Sequence, residues 1–336
     1  MKFFPNTLKK VNLLIFLCIS TLYFSCSDDL NDFPFYQTGE EIIISETTTD
    51  TIVNLIVGNA KVPVYLSFPK DCKNVNYPAV VVLHGSDGMW KNHDASTGSM
   101  SGQNNEWSEL FNENCIVGAY VDSYSGRGAT TRTGKWAEAP DNFKISSQFI
   151  RSRDANATLA LLKKLRFEDG SVVIRPENVG LLGFSDGASA VASTLYDTDT
   201  TPIEWEWTQS YNGKKYTTSS GVMAPEPKPE VGFAGGVFYY GGSGGYNYWG
   251  ASPCGQNSLQ GNIYRTYAPL LYQIPEEGYL SENTICLVDL LKEKGDPVEF
   301  YLYEGVGHGF DYDDVPQSKL ARSKTTIWFK KILDME

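Results

Sequence analysis

Glu177-Asn178-Val179-Gly180-Leu181-Leu182-Gly183-Phe184-Ser185-Asp186-Gly187 is the stretch on which the fold turns. Its first half is short and apolar, as a buried strand is. Residues 187–195 that follow carry a helical pattern. Between them lies G-x-S-x-G, residues 183–187. A serine at a sharp strand-to-helix turn needs glycine two positions to either side, because only glycine lets the neighbouring backbones approach that closely. In a chain with 31 glycines the five-residue pattern alone carries little weight. The strand before it and the helix after it carry the argument.

Residues 78–84 (PAVVVLH) form a continuous β-branched run, as expected for a strand buried on both faces of a parallel sheet. Similar runs recur at residues 116–121, 178–182, 231–240, 270–274 and 298–303. Helical patterns alternate with them at residues 146–166, 187–195, 281–294 and 317–333, the first with Ala155, Leu159 and Leu162 on one face. This alternation predicts an α/β fold, a mostly parallel central sheet with helices on both faces. Ligands then belong at the C-terminal edge of the strands. Three β-rich runs come earlier, at residues 41–45, 51–57 and 62–68, and suit a half-buried antiparallel arrangement. Residues 197–230 break the rhythm with Trp205, Trp207, Tyr211 and Tyr216, and read as a hairpin around Asn212-Gly213. This insertion after the nucleophile helix either overhangs the site or packs beside the body.

A serine hydroxyl is a weak nucleophile at neutral pH and needs an adjacent base, most often histidine. The chain has three histidines. His308, in Gly305-Val306-Gly307-His308-Gly309-Phe310, follows the last expected strand and is placed to reach Ser185. His84 ends a central strand in His84-Gly85-Ser86-Asp87-Gly88, which suits an oxyanion-hole loop. The backbone N–H groups of Asp186 and Ser86 are the expected oxyanion donors. His93 reads as a surface histidine.

Four stretches, residues 82–85 (VLHG), 121–128 (VDSYSGRG), 183–187 (GFSDG) and 303–310 (YEGVGHGF), stand in an order that resembles the dienelactone hydrolase family of α/β-hydrolases. The resemblance spans roughly residues 62–333 and implies a carboxylic ester hydrolase with Ser185 as nucleophile and His308 as base. The family's acid is an aspartate after a P-L-L strand, whereas residues 269–278 here read PLLYQIPEEG. Glu277 is the favoured substitute and Glu276 the alternative, acting from a slightly shifted loop. Arg127 either meets an anionic substrate group or pairs with Asp122 or a neighbouring carboxylate. Tyr124 is expected to line the pocket. No metal or organic cofactor is called for.

Composition is globular, with 41% hydrophobic and 20% charged residues, which excludes wholesale disorder. Net charge of −12 argues against a nucleic-acid partner and against adhesion to anionic lipid through basic patches. Lys2, Lys9 and Lys10 precede an apolar run at residues 11–24 that is shorter than the roughly 20 residues a membrane-spanning helix needs, the pattern of a secretory signal. That run ends in LYFSC (residues 22–26), which resembles a bacterial lipobox, so Cys26 is the expected lipidation site and membrane anchor. The acidic pair after Ser27 resembles the export tag of surface lipoproteins. The organisation expected is a signal at 1–25, a lipidated tether at 26–40 and one hydrolase domain at 41–336, lodged in the cell envelope. Cys72, Cys115, Cys254 and Cys286 then face an oxidising compartment, where they stay as buried thiols or form a disulfide, with the pairing open. Small-molecule or polysaccharide esters are the expected substrates. A prolyl-oligopeptidase-like peptidase lacks room for a gating domain, and an inactive glycan- or peptide-binding protein of the same fold is the alternative.

Overall fold

The computed structural model describes residues 35–72, 76–131, 145–200, 206–208, 215–217, 226–242 and 249–335. Residues 1–34, on which the expected signal, the Cys26 lipidation site and most of the expected tether fall, lie outside them, as do residues 201–205, 209–214 and 218–225 of the insertion. Strands β1 (Phe35–Gln37) and β2 (Ile42–Ile44) come first, followed by the hairpin of β3 (Asp50–Val57) and β4 (Ala60–Ser67). Strands β5 (Tyr77–Leu83) and β6 (Val117–Val121) flank helix α1 (Gly102–Glu113). A π-helical turn, Ser147–Arg151, leads into α2 (Ser152–Lys164), then β7 (Leu165–Phe167), β8 (Ile174–Phe184) and α3 (Asp186–Thr194). After the insertion strands β9 (Glu206–Thr208) and β10 (Lys215–Thr217) come β11 (Gly235–Tyr239), β12 (Leu270–Pro275), α4 (Tyr279–Glu293), β13 (Val298–Tyr303) and α5 (Pro316–Ile332).

Nine strands form the main sheet in the order β1-β3-β4-β6-β5-β8-β11-β12-β13. From β6 to β13 every pairing is parallel, while β3–β4 and β4–β6 are antiparallel. Alternation along each strand feeds two apolar layers. Ala79, Val81 and Leu83 of β5 join α2, α3 and α4 on one face, through Leu159, Leu162, Val191 and Leu287. Val80 and Val82 join α1 and α5 on the other, through Trp107, Phe111, Trp328 and Phe329. Each fully buried Val or Leu contributes about 1.5–3 kcal/mol relative to exposure, so the continuous runs are what fix this sheet at the centre.

Three local expectations are corrected, and one helix was not foreseen. The tether expected to reach residue 40 gives way at Phe35, where β1 pairs in parallel with the outer edge of β3 and the Lys61 ammonium lies 4.2 Å from the Phe35 ring centre. The run at 41–45 pairs in parallel with β7, outside the main sheet. Residues 165–166 belong to that strand and not to the preceding helix, which itself opens with the π turn. Helix α1 gave no clear periodic signal because its buried face includes Asn104 and Ser108 beside Trp107 and Phe111. Of the hairpin expected about residues 212–213, β9 and β10 pair antiparallel, while residues 209–214 lie outside the described residues. Two disulfides close, Cys72–Cys115 with Cα atoms 5.7 Å apart and Cys254–Cys286 at 5.1 Å.

Candidate active site

Ser185 stands between β8 and α3 with φ 52° and ψ −113°, a left-handed conformation that a side chain rarely adopts. The flanking glycines explain how it fits. A Cβ on Gly187 would lie 2.0 Å from the Leu83 carbonyl oxygen, and one on Gly183 2.2 Å from the Gly187 carbonyl oxygen. Strand β5, the elbow and the start of α3 are therefore packed backbone against backbone. The Ser185 N–H donates to the Tyr239 carbonyl at 3.0 Å, which ties the turn to β11 as well.

His308 follows β13, in a loop that turns at Gly305 (φ 69°) and Gly309 (φ 85°). Its Nε2 lies 2.9 Å from Ser185 Oγ. Burial lowers the His308 pKa from its ordinary value, an effect that the Asp87 carboxylate partly opposes. The imidazole is thus mostly neutral near pH 7 and able to accept the serine proton.

The two glutamates expected as the acid do other work. Pairing of Pro275 with Tyr303 carries residues 276–278 along the backbone of the His308 loop. The Glu276 carboxylate accepts from Gly305 N–H at 3.0 Å, and the Glu277 N–H donates to Val306 O at 3.1 Å while its side chain is exposed. Neither hydrogen-bonds His308, and no other carboxylate does so among the described residues. Tyr240 meets His308 instead, edge to face with ring centres 4.9 Å apart. The Tyr240 hydroxyl donates to Asp311, a fully buried carboxylate that also accepts from Trp107 Nε1 at 2.8 Å and from Gln103 Nε2 at 2.9 and 3.1 Å. Sequence reasoning missed this cluster. The one available signal was an aspartate inside the apolar-flanked run after His308.

The loop after β5 reaches the elbow, since a methyl on Gly85 would sit 3.6 Å from Ser185 Cβ. Among the described residues the Ser86 N–H is bound to no acceptor. Beneath the loop lies a buried polar cluster. The Asp186 carboxylate accepts from Arg151 at 2.7 Å, Tyr124 OH at 3.0 Å and Ser147 at 3.2 Å. His84 is neutral there, its pKa lowered to about 4 by burial first and by Arg151 second.

Tyr124 turns inward instead of lining the pocket, and Arg127 takes the second of its two expected roles, a pairing with a neighbouring carboxylate. Tyr124 is 1% exposed, with its hydroxyl on Asp186. The Arg127 guanidinium forks onto the buried Asp154 carboxylate at 2.8 and 2.7 Å and also donates to Ser123 O. Such a planar fork matches one carboxylate well and leaves little for another anion. His93 is exposed and bonded through Nδ1 to Asp87 O. The insertion's exit docks at the catalytic edge, where Glu226 meets Arg153 and Asn156 at the start of α2.

No family model and no curated protein sequence matches this chain. Solved structures do. A thermophilic esterase from the Planctomycetes species Thermogutta terrifontis aligns at 14% identity and TM-score 0.52, over 88% of this chain and 96% of that one. The esterase of that organism phosphoramylated by tabun aligns at 15% and 0.51, over 85% and 96%. A dienelactone hydrolase-like promiscuous phosphotriesterase from metagenomic libraries aligns at 12% and 0.52, over 84% and 98%. The chain has the α/β-hydrolase fold.

Proposed function

We propose, with that fold as premise, that this chain is a serine hydrolase that cleaves a carboxylic ester through an acyl-enzyme on Ser185. The contact of His308 Nε2 with Ser185 Oγ at the strained elbow carries the reading. His308 takes the hydroxyl proton as Oγ attacks the ester carbonyl. The N–H groups of Asp186 and Ser86 receive the developing oxyanion, His308 returns the proton to the departing alcohol, and water then releases the acid by the same steps. Structural neighbours that are esterases, one of them modified by an organophosphate, support this choice of reaction.

Acylated carbohydrate is the substrate class we favour, because the insertion after the helix that follows Ser185 is rich in aromatic residues, whose rings suit sugar faces and aryl acids alike. A location outside the cytoplasm, anchored at Cys26, accords with the two disulfides. The second reading, a binding protein of the same fold with little turnover, draws on there being no carboxylate hydrogen-bonded to His308 among the described residues. Removing that acid elsewhere costs about 10⁴-fold in kcat.

Fluorophosphonate labelling traced by mass spectrometry separates the two, and needs no guess at substrate. Modification confined to Ser185, and lost in both Ser185→Ala and His308→Ala, is the expected result. A folded protein that takes no label would instead favour the binding reading.

A further inference from the structure

We infer that Arg151 is a positioning residue that sets the separation of the two oxyanion donors; the inference rests on the ester-hydrolase reading. Those donors belong to different loops, Ser86 to the loop after β5 and Asp186 to the start of α3. Some rigid element must hold the loops in register. The Arg151 side chain is fully buried between them. Its Nη1 donates to Asp186 Oδ2 at 2.7 Å and its Nη2 to the His84 carbonyl at 2.6 Å. One planar guanidinium therefore grips the residue that supplies one donor and the backbone two residues ahead of the other.

The local backbone is built to bring this arginine there. Arg151 closes a π turn, its N–H bonded to Ser146 O five residues back at 3.0 Å. The wider turn lets Ser147 and Arg151 both reach the Asp186 carboxylate. π turns of this kind inside helices occur often at functional sites. Tyr124 completes the grip, with its hydroxyl on Asp186, its ring 5.3 Å from the guanidinium carbon and its edge against His84. Both groups of the pair are almost without solvent contact, side chains 0% and 3% exposed, so the geometry is not loosened by water.

Lysine keeps the charge but presents a point donor, which cannot span two acceptors on different loops as a fork does. Arg151→Lys is the test, with p-nitrophenyl acetate hydrolysis as the assay. Removing one oxyanion donor costs about 10²–10³-fold in kcat, and a displaced donor is expected to cost about 10- to 100-fold. KM and the acid limb of the pH profile, which reports His308, should stay where they are in the wild type. Arg151→Lys with kcat within about twofold of wild type overturns the inference. So does a loss shared by kcat and KM, or a shifted acid limb, because either points to general disorder or to the base. Should Arg151→Lys lose its cooperative melting transition, Asp186→Asn decides. It keeps the backbone donor and weakens only the grip, so a smaller fall in kcat alone supports the inference and an unchanged kcat refutes it. Wild type that folds but neither hydrolyses ester nor takes fluorophosphonate would sink the ester-hydrolase reading itself, and this inference with it.

Discussion

Replacing Asp311 by alanine should unsettle both the fold and the base. The carboxylate accepts from Trp107 Nε1, Tyr240 OH and Gln103 Nε2. Trp107 and Tyr240 are buried, whereas Gln103 is partly exposed and can turn to water. Two buried donors left without an acceptor cost about 1–3 kcal/mol each, or about 2–6 together. Burial raises the Asp311 pKa, so deleting the charge returns part of its desolvation cost. That draws the expectation to about 2–4 kcal/mol, a large share of the roughly 5–15 kcal/mol that holds a typical protein folded. Asp311→Asn keeps one acceptor oxygen and should lose about half as much. Urea unfolding followed by tryptophan fluorescence reads the stability. In the fraction that remains folded, the Tyr240 ring loses its anchor against His308, and the rate of fluorophosphonate labelling should fall about 10-fold. A stability loss below about 1 kcal/mol together with an unchanged labelling rate would refute the reasoning, and would mean that packing alone holds the Tyr240 ring.

Gly187→Ala would place a methyl 2.0 Å from Leu83 O, so β5 and the elbow must part by about 1 Å; labelling should slow about 10²-fold, and full activity would contradict the close packing. The His308 pKa is lowered, so the acid limb of kcat/KM should have its midpoint below 6.5, with activity falling as pH drops and His308 takes up a proton. The same shift makes the His308 contribution to stability present above pH 6.5 and lost as pH falls through the folded-state pKa, since the unfolded chain then binds more protons. A midpoint at or above 6.5 would count against a desolvated imidazole. Cys72–Cys115 and Cys254–Cys286 join residues 43 and 32 apart, so reducing each should cost about 4 kcal/mol by chain entropy. A urea midpoint indifferent to dithiothreitol would show that the bridges constrain little.

The central sheet was legible because strands buried on both faces must be apolar without interruption, as β5 is from Pro78 to Leu83. Ser185 and His308 were legible because their surroundings, glycine at fixed offsets and loops after strands, are written locally. The rest depends on where distant side chains meet. Nothing near Arg127 in the sequence points to Asp154, and nothing near Arg151 points to Asp186. Glu277 was favoured as a glutamate acting from a slightly shifted loop, but its neighbourhood in the sequence fixes the backbone alone, which bonds Val306 O while that carboxylate lies in solvent. Helix α1 escaped notice for a related reason, since polar Asn104 and Ser108 share its buried face.

The left-handed backbone of Ser185 has a consequence for how the chain can change. A side chain held in that region costs about 1–3 kcal/mol, and glycine would occupy it at ease. Neutral drift guided by folding alone would therefore carry residue 185 toward glycine, to match its neighbours at 183 and 187. A library of variants ranked only by melting temperature would do the same, and would enrich the very change that deletes the proposed nucleophile. A hydroxymethyl group at a place where glycine would sit with less strain is what the proposed role of residue 185 requires.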